Sequence, residues 1–262
     1  MKMLFLLSIL AVPSVWTYIL PQRNCLLRRA VDLTRVLDTE SVAATKPFVP
    51  GNLSEITLPG NITYRINDFC VGEHTGTHLD APFHFNKDGW TVEEIPLERL
   101  ISNGIFMNFS QETANNVSFR LQPDHIDQWI KQHGRFPHNA MVLISYGWSQ
   151  LYWNRTAFTG TATDKFTDMV YPGMSAETAT KLASMPEVVG VGVDTISIDA
   201  SGEGIAHQIL TAKNIYLLED VDMDKPCIPD RGFKVFSMPI KLVNGTGTPA
   251  RVIIVPEGGI LK

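Results

Sequence analysis

Three histidines and an aspartate fall within one short run, His74-Thr75-Gly76-Thr77-His78-Leu79-Asp80-Ala81-Pro82-Phe83-His84. Imidazole and carboxylate groups are the common protein ligands of zinc and manganese. His74 and His78 are four residues apart, a spacing at which one helical turn aims both at a single ion. Asp80 follows two residues later. Gly76 removes bulk between these side chains, and Pro82 stops any helix from running on. A bare pair of histidines at this spacing is more often two exposed, unliganded side chains. The added Asp80 and His84, with Gly76 and Pro82 between them, make a divalent-metal site the stronger expectation.

The rest of the chain bounds that site. Lys2 precedes an apolar run, 3–12, interrupted only by Ser8, and then Pro13 and Ser14. That order is a secretory signal peptide, cut after Ser14 or Thr17, and too short to span a bilayer. Residues 1–17 are therefore set apart, and 18–262 read as one domain, with no repeat or linker-like stretch. Asn-x-Ser/Thr sequons at Asn52, Asn61, Asn108, Asn116, Asn154 and Asn244 agree with a secreted glycoprotein. Cys25, Cys70 and Cys227 allow one disulfide with a free thiol, or three unpaired thiols. The net charge of −5 carries no basic stripe, so nucleic acid is not an expected partner. No other apolar run approaches membrane length.

Short branched or aromatic runs at 105–109, 141–146, 188–193, 215–218, 234–238 and 251–255 read as strands. Helices are expected from Pro123 to His133, from a Ser175 cap through Ala183, and over 206–213. The pattern is mixed α and β, with too many strands for a plain alternating βαβ sheet. Asp194, Thr195, Ser197 and Asp199 follow an apolar run and read as a strand-end loop whose side chains cap backbone groups. Taken alone, His207 is a structural histidine and Glu219 a surface charge. Asp220, Asp222 and Asp224 begin like a calcium loop, but Lys225 stands where glycine is required. Neither a Gly-x-Ser-x-Gly elbow nor a phosphate-binding loop is present.

The run His74-x-Gly76-Thr77-His78-x-Asp80-x-Pro82-x-His84-Phe85 resembles the signature of the cyclase-like metal hydrolases, which include bacterial-type kynurenine formamidase and isatin hydrolase. The resemblance continues through Asp32-Leu33-Thr34, Gly147-Trp148, Tyr171-Pro172-Gly173, Gly192-Val193-Asp194-Thr195, His207, Glu219 and Gly245-Thr246-Gly247. It implies a swivelling β/β/α type domain that forms a homodimer. It also implies that His74, His78 and Asp80 hold a first divalent metal, zinc or manganese. Asp80 would bridge to a second ion held by His207 and Glu219, since members hold one or two. His84 resembles the general acid/base. The implied reaction is hydrolysis of a C–N amide bond in an aryl formamide or small cyclic amide. The chemistry is consistent: a divalent cation polarises a carbonyl, and a histidine titrates in the range needed to protonate an amine leaving group. The contrary expectation is a secreted binding protein for a small ligand or metal, which would have no use for His84. Phe83, Trp90 and Trp148 are candidates for stacking on an aromatic substrate, or for core packing.

Overall fold

The strands Ala140–Ser145 and Val188–Val193 are buried at every position. A strand covered on both faces shows no polar alternation and belongs inside a sheet with layers on either side. The computed structural model, which describes residues 29–43, 46–163 and 165–258, has that arrangement. The expected signal peptide and Cys25 lie outside these residues.

In chain order the strands are β1 (Val31–Asp32), β2 (Val49–Pro50), β3 (Ser54–Leu58), β4 (Ile62–Ile66), β5 (Phe69–Cys70), β6 (His78–Asp80), β7 (Ile101–Asn108), β8 (Arg120–Leu121), β9 (Ala140–Ser145), β10 (Gly173–Met174), β11 (Val188–Val193), β12 (Tyr216–Glu219), β13 (Arg231–Pro239) and β14 (Gly247–Pro256). The helices are α1 (Leu97–Leu100), α2 (Ser110–Thr113), α3 (Pro123–His133), α4 (Arg155–Thr159), α5 (Ala176–Ala183) and α6 (Ile205–Thr211). The main sheet runs β1-β14-β13-β7-β9-β11-β12-β6. Strand β6 also pairs with β14, which closes the sheet into a barrel with β1 added outside β14. The domain is mixed α and β, as the sequence indicates.

Strands β7, β9, β11 and β12 are parallel neighbours, and α3, α5 and α6 form their three crossovers. Half of the barrel is thus a βαβ succession, while β6, β13 and β14 pair antiparallel, so the sheet as a whole is not a plain alternating βαβ one. The crossover helices are only 11, 8 and 7 residues long, so strands outnumber them in the sequence. Their starts are well signalled: Pro123 opens α3, and the Ser175 hydroxyl accepts from the Thr178 N–H at 3.2 Å.

The two faces of the sheet carry separate cores. On β9, Val142 and Ile144 point outward and pack with Ile126 and Trp129 of α3, Leu182 of α5 and Leu210 of α6. Met141 and Leu143 point into the barrel beside Leu79, Tyr216, Leu218, Val235 and Val252.

One element stands away from both cores. The hairpin β3–β4 is exposed along its whole length. Its register puts Ile56, Leu58, Ile62, Tyr64 and Ile66 on one face. The other face carries the Glu55–Arg65 ion pair at 2.7 Å and the Thr57–Thr63 hydroxyl pair at 3.0 Å. The hairpin is therefore amphipathic, with its apolar face uncovered among the described residues. Its root, the β2–β5 pair, leads directly into Glu73 and His74.

Candidate metal centre

Strand β6 builds the centre of the site. His78 and Asp80 are two apart on a strand, so both face the same side. Glu219, the last residue of β12, lies in register opposite His78, and Gly247 of β14 lies opposite Asp80. His74 does not sit one helical turn before His78. Thr75 forms a bridge with Ala43, and Gly76 turns the chain with φ +59°. That left-handed turn, which glycine adopts without strain, folds His74 back over Asp80. His207 comes from the first turn of α6, and His84 ends a short 3-10 turn, Pro82–His84.

All six side chains converge. Asp80 Oδ1 lies 2.6 Å from His74 Nδ1 and 3.2 Å from His78 Nε2. Asp80 Oδ2 lies 3.3 Å from His207 Nε2. Glu219 reaches His207 Nε2 at 3.2 Å and His78 Nε2 at 3.5 Å. The His84 ring stacks on His74 with centroids 4.1 Å apart. Two sets of ligand atoms, His74–His78–Asp80 and Asp80–His84–His207, each lie within 4.8 Å of one another. The second set differs from the expectation in including His84 as well as His207.

The outer hydrogen bonds fix what the inner nitrogens can do. His78 Nδ1 is 2.8 Å from the Gly76 carbonyl, which only accepts, so Nδ1 carries the hydrogen. Its Nε2 is then a bare lone pair, buried, and without a hydrogen-bond partner despite the carboxylate oxygens near it. His207 Nδ1 lies 2.5 Å from Asp199 Oδ2, which leaves its Nε2 facing Asp80 and Glu219. Lone pairs aimed at carboxylate oxygens repel unless a positive charge sits between them. A divalent cation fits this donor set of imidazoles and carboxylates.

Without a cation, protons take that role. Burial pulls His78 and His207 down, but the carboxylates beside them more than offset it and hold both well above the ordinary histidine range. Burial raises Asp80, yet the surrounding histidines keep it well below the usual carboxylate range. His84 is lowered, chiefly by burial.

Asp199 also accepts from the N–H groups of Ala206 at 2.7 Å and His207 at 3.1 Å, so it caps α6 as well as orienting His207. Asp194 accepts from the N–H groups of Tyr146 at 2.7 Å and Trp148 at 2.9 Å, and from the Ser145 hydroxyl at 3.0 Å. Both roles match the capping expected of that loop. Of the three aromatic candidates, Trp148 is core and donates to the Phe158 carbonyl at 2.8 Å, while Trp90 lies under Arg99. Phe83 is half-buried in the turn before His84. Phe85 is the aromatic at the site: its ring is 4.5 Å from His207 and 4.7 Å from His84, and 40% of it is exposed. Its position directly after His84 was the available signal. Asp222 pairs with Arg35 and Lys225. Cys227 is disulfide-bonded, and Cys70 is an exposed free thiol.

Known proteins resemble this chain in sequence and fold. The family model Cyclase matches residues 31–200, which include His74, His78, Asp80 and His84; His207 and Glu219 lie beyond that stretch. An isatin hydrolase of Roseibium aggregatum is 30% identical over 73% of this chain and 75% of its own length. A kynurenine formamidase of Bacillus cytotoxicus is 31% identical over 79% of this chain and 94% of its own. The crystal structure of an isatin hydrolase bound to the product analogue thioisatinate superposes with a TM-score of 0.77 at 28% identity, covering 87% of this chain and 92% of that one.

Proposed function

The chain belongs to the Cyclase family, and from that premise we propose that it is a metal-dependent hydrolase cleaving the C–N bond of an aryl formamide or a small cyclic amide. The observation that carries this reading is the set of bare imidazole nitrogens turned toward Asp80 and Glu219 in a buried site. In this reading His74, His78 and Asp80 hold one ion, and Asp80, His207 and Glu219 hold a second, of zinc or manganese. Bound there, the metal would supply Lewis acidity, polarising the scissile carbonyl and acidifying water. His84 moves a proton to the leaving nitrogen; its ring lies against His74 and the residue is only half-buried. Phe85 stacks on the substrate's aryl ring at the rim. The swivelling β/β/α type of the domain belongs to the same reading. Elemental analysis of purified protein, with N-formylkynurenine and isatin as test substrates, checks it. Bound metal and turnover of either compound are expected. A metal-free protein that binds such ligands without turning them over would favour a binding protein on the same fold.

Secretion with N-glycosylation belongs to this reading too. It is supported by the disulfide at Cys227 and by the exposure of all six sequon asparagines. The homodimer is supported by the β3–β4 hairpin. A lone hairpin is marginally stable in water, and this one offers an uncharged apolar face that a second copy can meet without like-charge repulsion. Among the described residues no helix is long and apolar enough to cross a membrane.

A further inference from the structure

The Gly245-Thr246-Gly247 loop touches the centre without offering it a ligand atom. Glu73 Oε2 receives the N–H groups of Thr246 at 2.9 Å and Gly247 at 3.2 Å. An N–H only donates, so this oxygen is an acceptor. The Thr246 hydroxyl lies 2.5 Å from the same oxygen and must spend its one hydrogen there. What remains on Thr246 Oγ1 is lone pairs, and His74 Nε2 lies 3.0 Å away. His74 therefore donates from Nε2, which leaves Nδ1, 2.6 Å from Asp80 Oδ1, as the nitrogen that would face a cation. A Cβ on Gly247 would lie 2.6 Å from His74 Cε1, so the same loop also buttresses the ring.

We propose that Glu73 is a positioning residue for the metal centre, setting the tautomer of His74 through the Thr246 hydroxyl. His78 and His207 have their outer N–H fixed directly, by the Gly76 carbonyl and by Asp199. His74 has a hydroxyl there instead, and a hydroxyl can either donate or accept. Glu73 removes that freedom. If Glu73 offered no acceptor, Thr246 could donate to Nε2, moving the ring hydrogen to Nδ1 and closing the lone pair that a cation needs.

The inference rests on reading the cluster as a metal centre, and its test separates the two. Glu73→Leu removes the acceptor, whereas Glu73→Gln keeps it as an amide oxygen. Chelator competition on the full-length protein should give zinc or manganese binding about 10–100-fold weaker in Glu73→Leu. Glu73→Gln should restore near-original affinity. Thr246→Val should match Glu73→Leu, add little to it in combination, and be rescued by Thr246→Ser. Because Thr246→Val also deletes the Asn244 sequon, Asn244→Gln is its control, with unchanged affinity expected. Nitrogen-15 spectra of the metal-free protein should show a hydrogen on His74 Nε2, and none there in Glu73→Leu. A lower melting temperature in Glu73→Leu with unchanged affinity and tautomer would overturn the proposal, as would failure of Glu73→Gln to rescue. If the unaltered protein binds no metal, the functional reading falls, and the tautomer spectra still decide the role of Glu73.

Discussion

The ring of His84 makes only ring contacts among the described residues, whereas the other three imidazoles of the centre are each tied by a hydrogen bond. A side chain without such a tie suits proton transfer better than ligation. His84→Ala should therefore keep its metal while turnover falls by about 10²–10⁴-fold, less for substrates with better leaving groups. Metal lost in step with rate would instead make His84 a ligand, an option its closeness to Asp80 and His207 leaves in the geometry. His74→Ala and His78→Ala should each lose metal and activity together, and unchanged metal content in both would remove the first-ion assignment. A pH dependence follows from His78 and His207. In the metal-free fold burial lowers both, but the attraction of the carboxylates exceeds that cost and holds them well above the ordinary histidine range. A raised value contributes stability that is complete below the unfolded pKa and lost as pH rises through the folded one. A bound cation replaces those protons and does not titrate away. The melting-temperature gap between metal-loaded and chelated protein should therefore widen from about pH 6 toward about pH 9; a constant or shrinking gap would contradict this.

Asp194 ties the end of β11 to the turn after β9. Asp194→Ala would strand the N–H groups of Tyr146, Trp148 and Ser149, each costing roughly 1–3 kcal/mol when buried without a partner. Thermal melts should show a large drop, and a loss no greater than that of an exposed-residue control such as Asp68→Ala would discount the role. Elements with local signals were legible in the sequence. The run 188–193 coincides with β11, Pro123–His133 with α3, and the Ser175 cap with the start of α5. Elements defined by distant partners were not. The spacing of His74 and His78 suits a helix, yet β6 is a strand because residues 217–219 and 247–249 pair with it from both sides. Nothing within ten residues of His78 encodes that. The ligand types could be read from the run itself, while His207 and Glu219 entered only through the family resemblance. Thr246 was visible as part of a motif, but its contact with His74 and Glu73 crosses more than half the chain.

At the scale of the molecule, the uncovered hairpin and the centre are joined through the β5-to-His74 segment. Leu53, Ile56, Leu58, Ile62, Tyr64, Ile66 and Phe69 are 38% to 63% exposed. Together they offer several hundred Å², on the order of the ~800 Å² per partner of a standard interface. Leu58→Asp combined with Ile62→Asp should convert a dimer to a monomer in light-scattering chromatography, with unchanged circular dichroism because neither residue belongs to a core cluster. A monomeric unaltered protein, or a dimer that survives both changes, would refute that assembly. The doubly paired β6 also sets an order of events. Its partners lie at 217–219 and 247–249, so a growing chain carries His74, His78 and Asp80 long before it carries what positions them. The centre is completed only when β14 closes the barrel against β6. A nascent chain stalled short of Gly247 should therefore hold no tightly bound ion, and metal loading becomes a report that synthesis has reached the last strand.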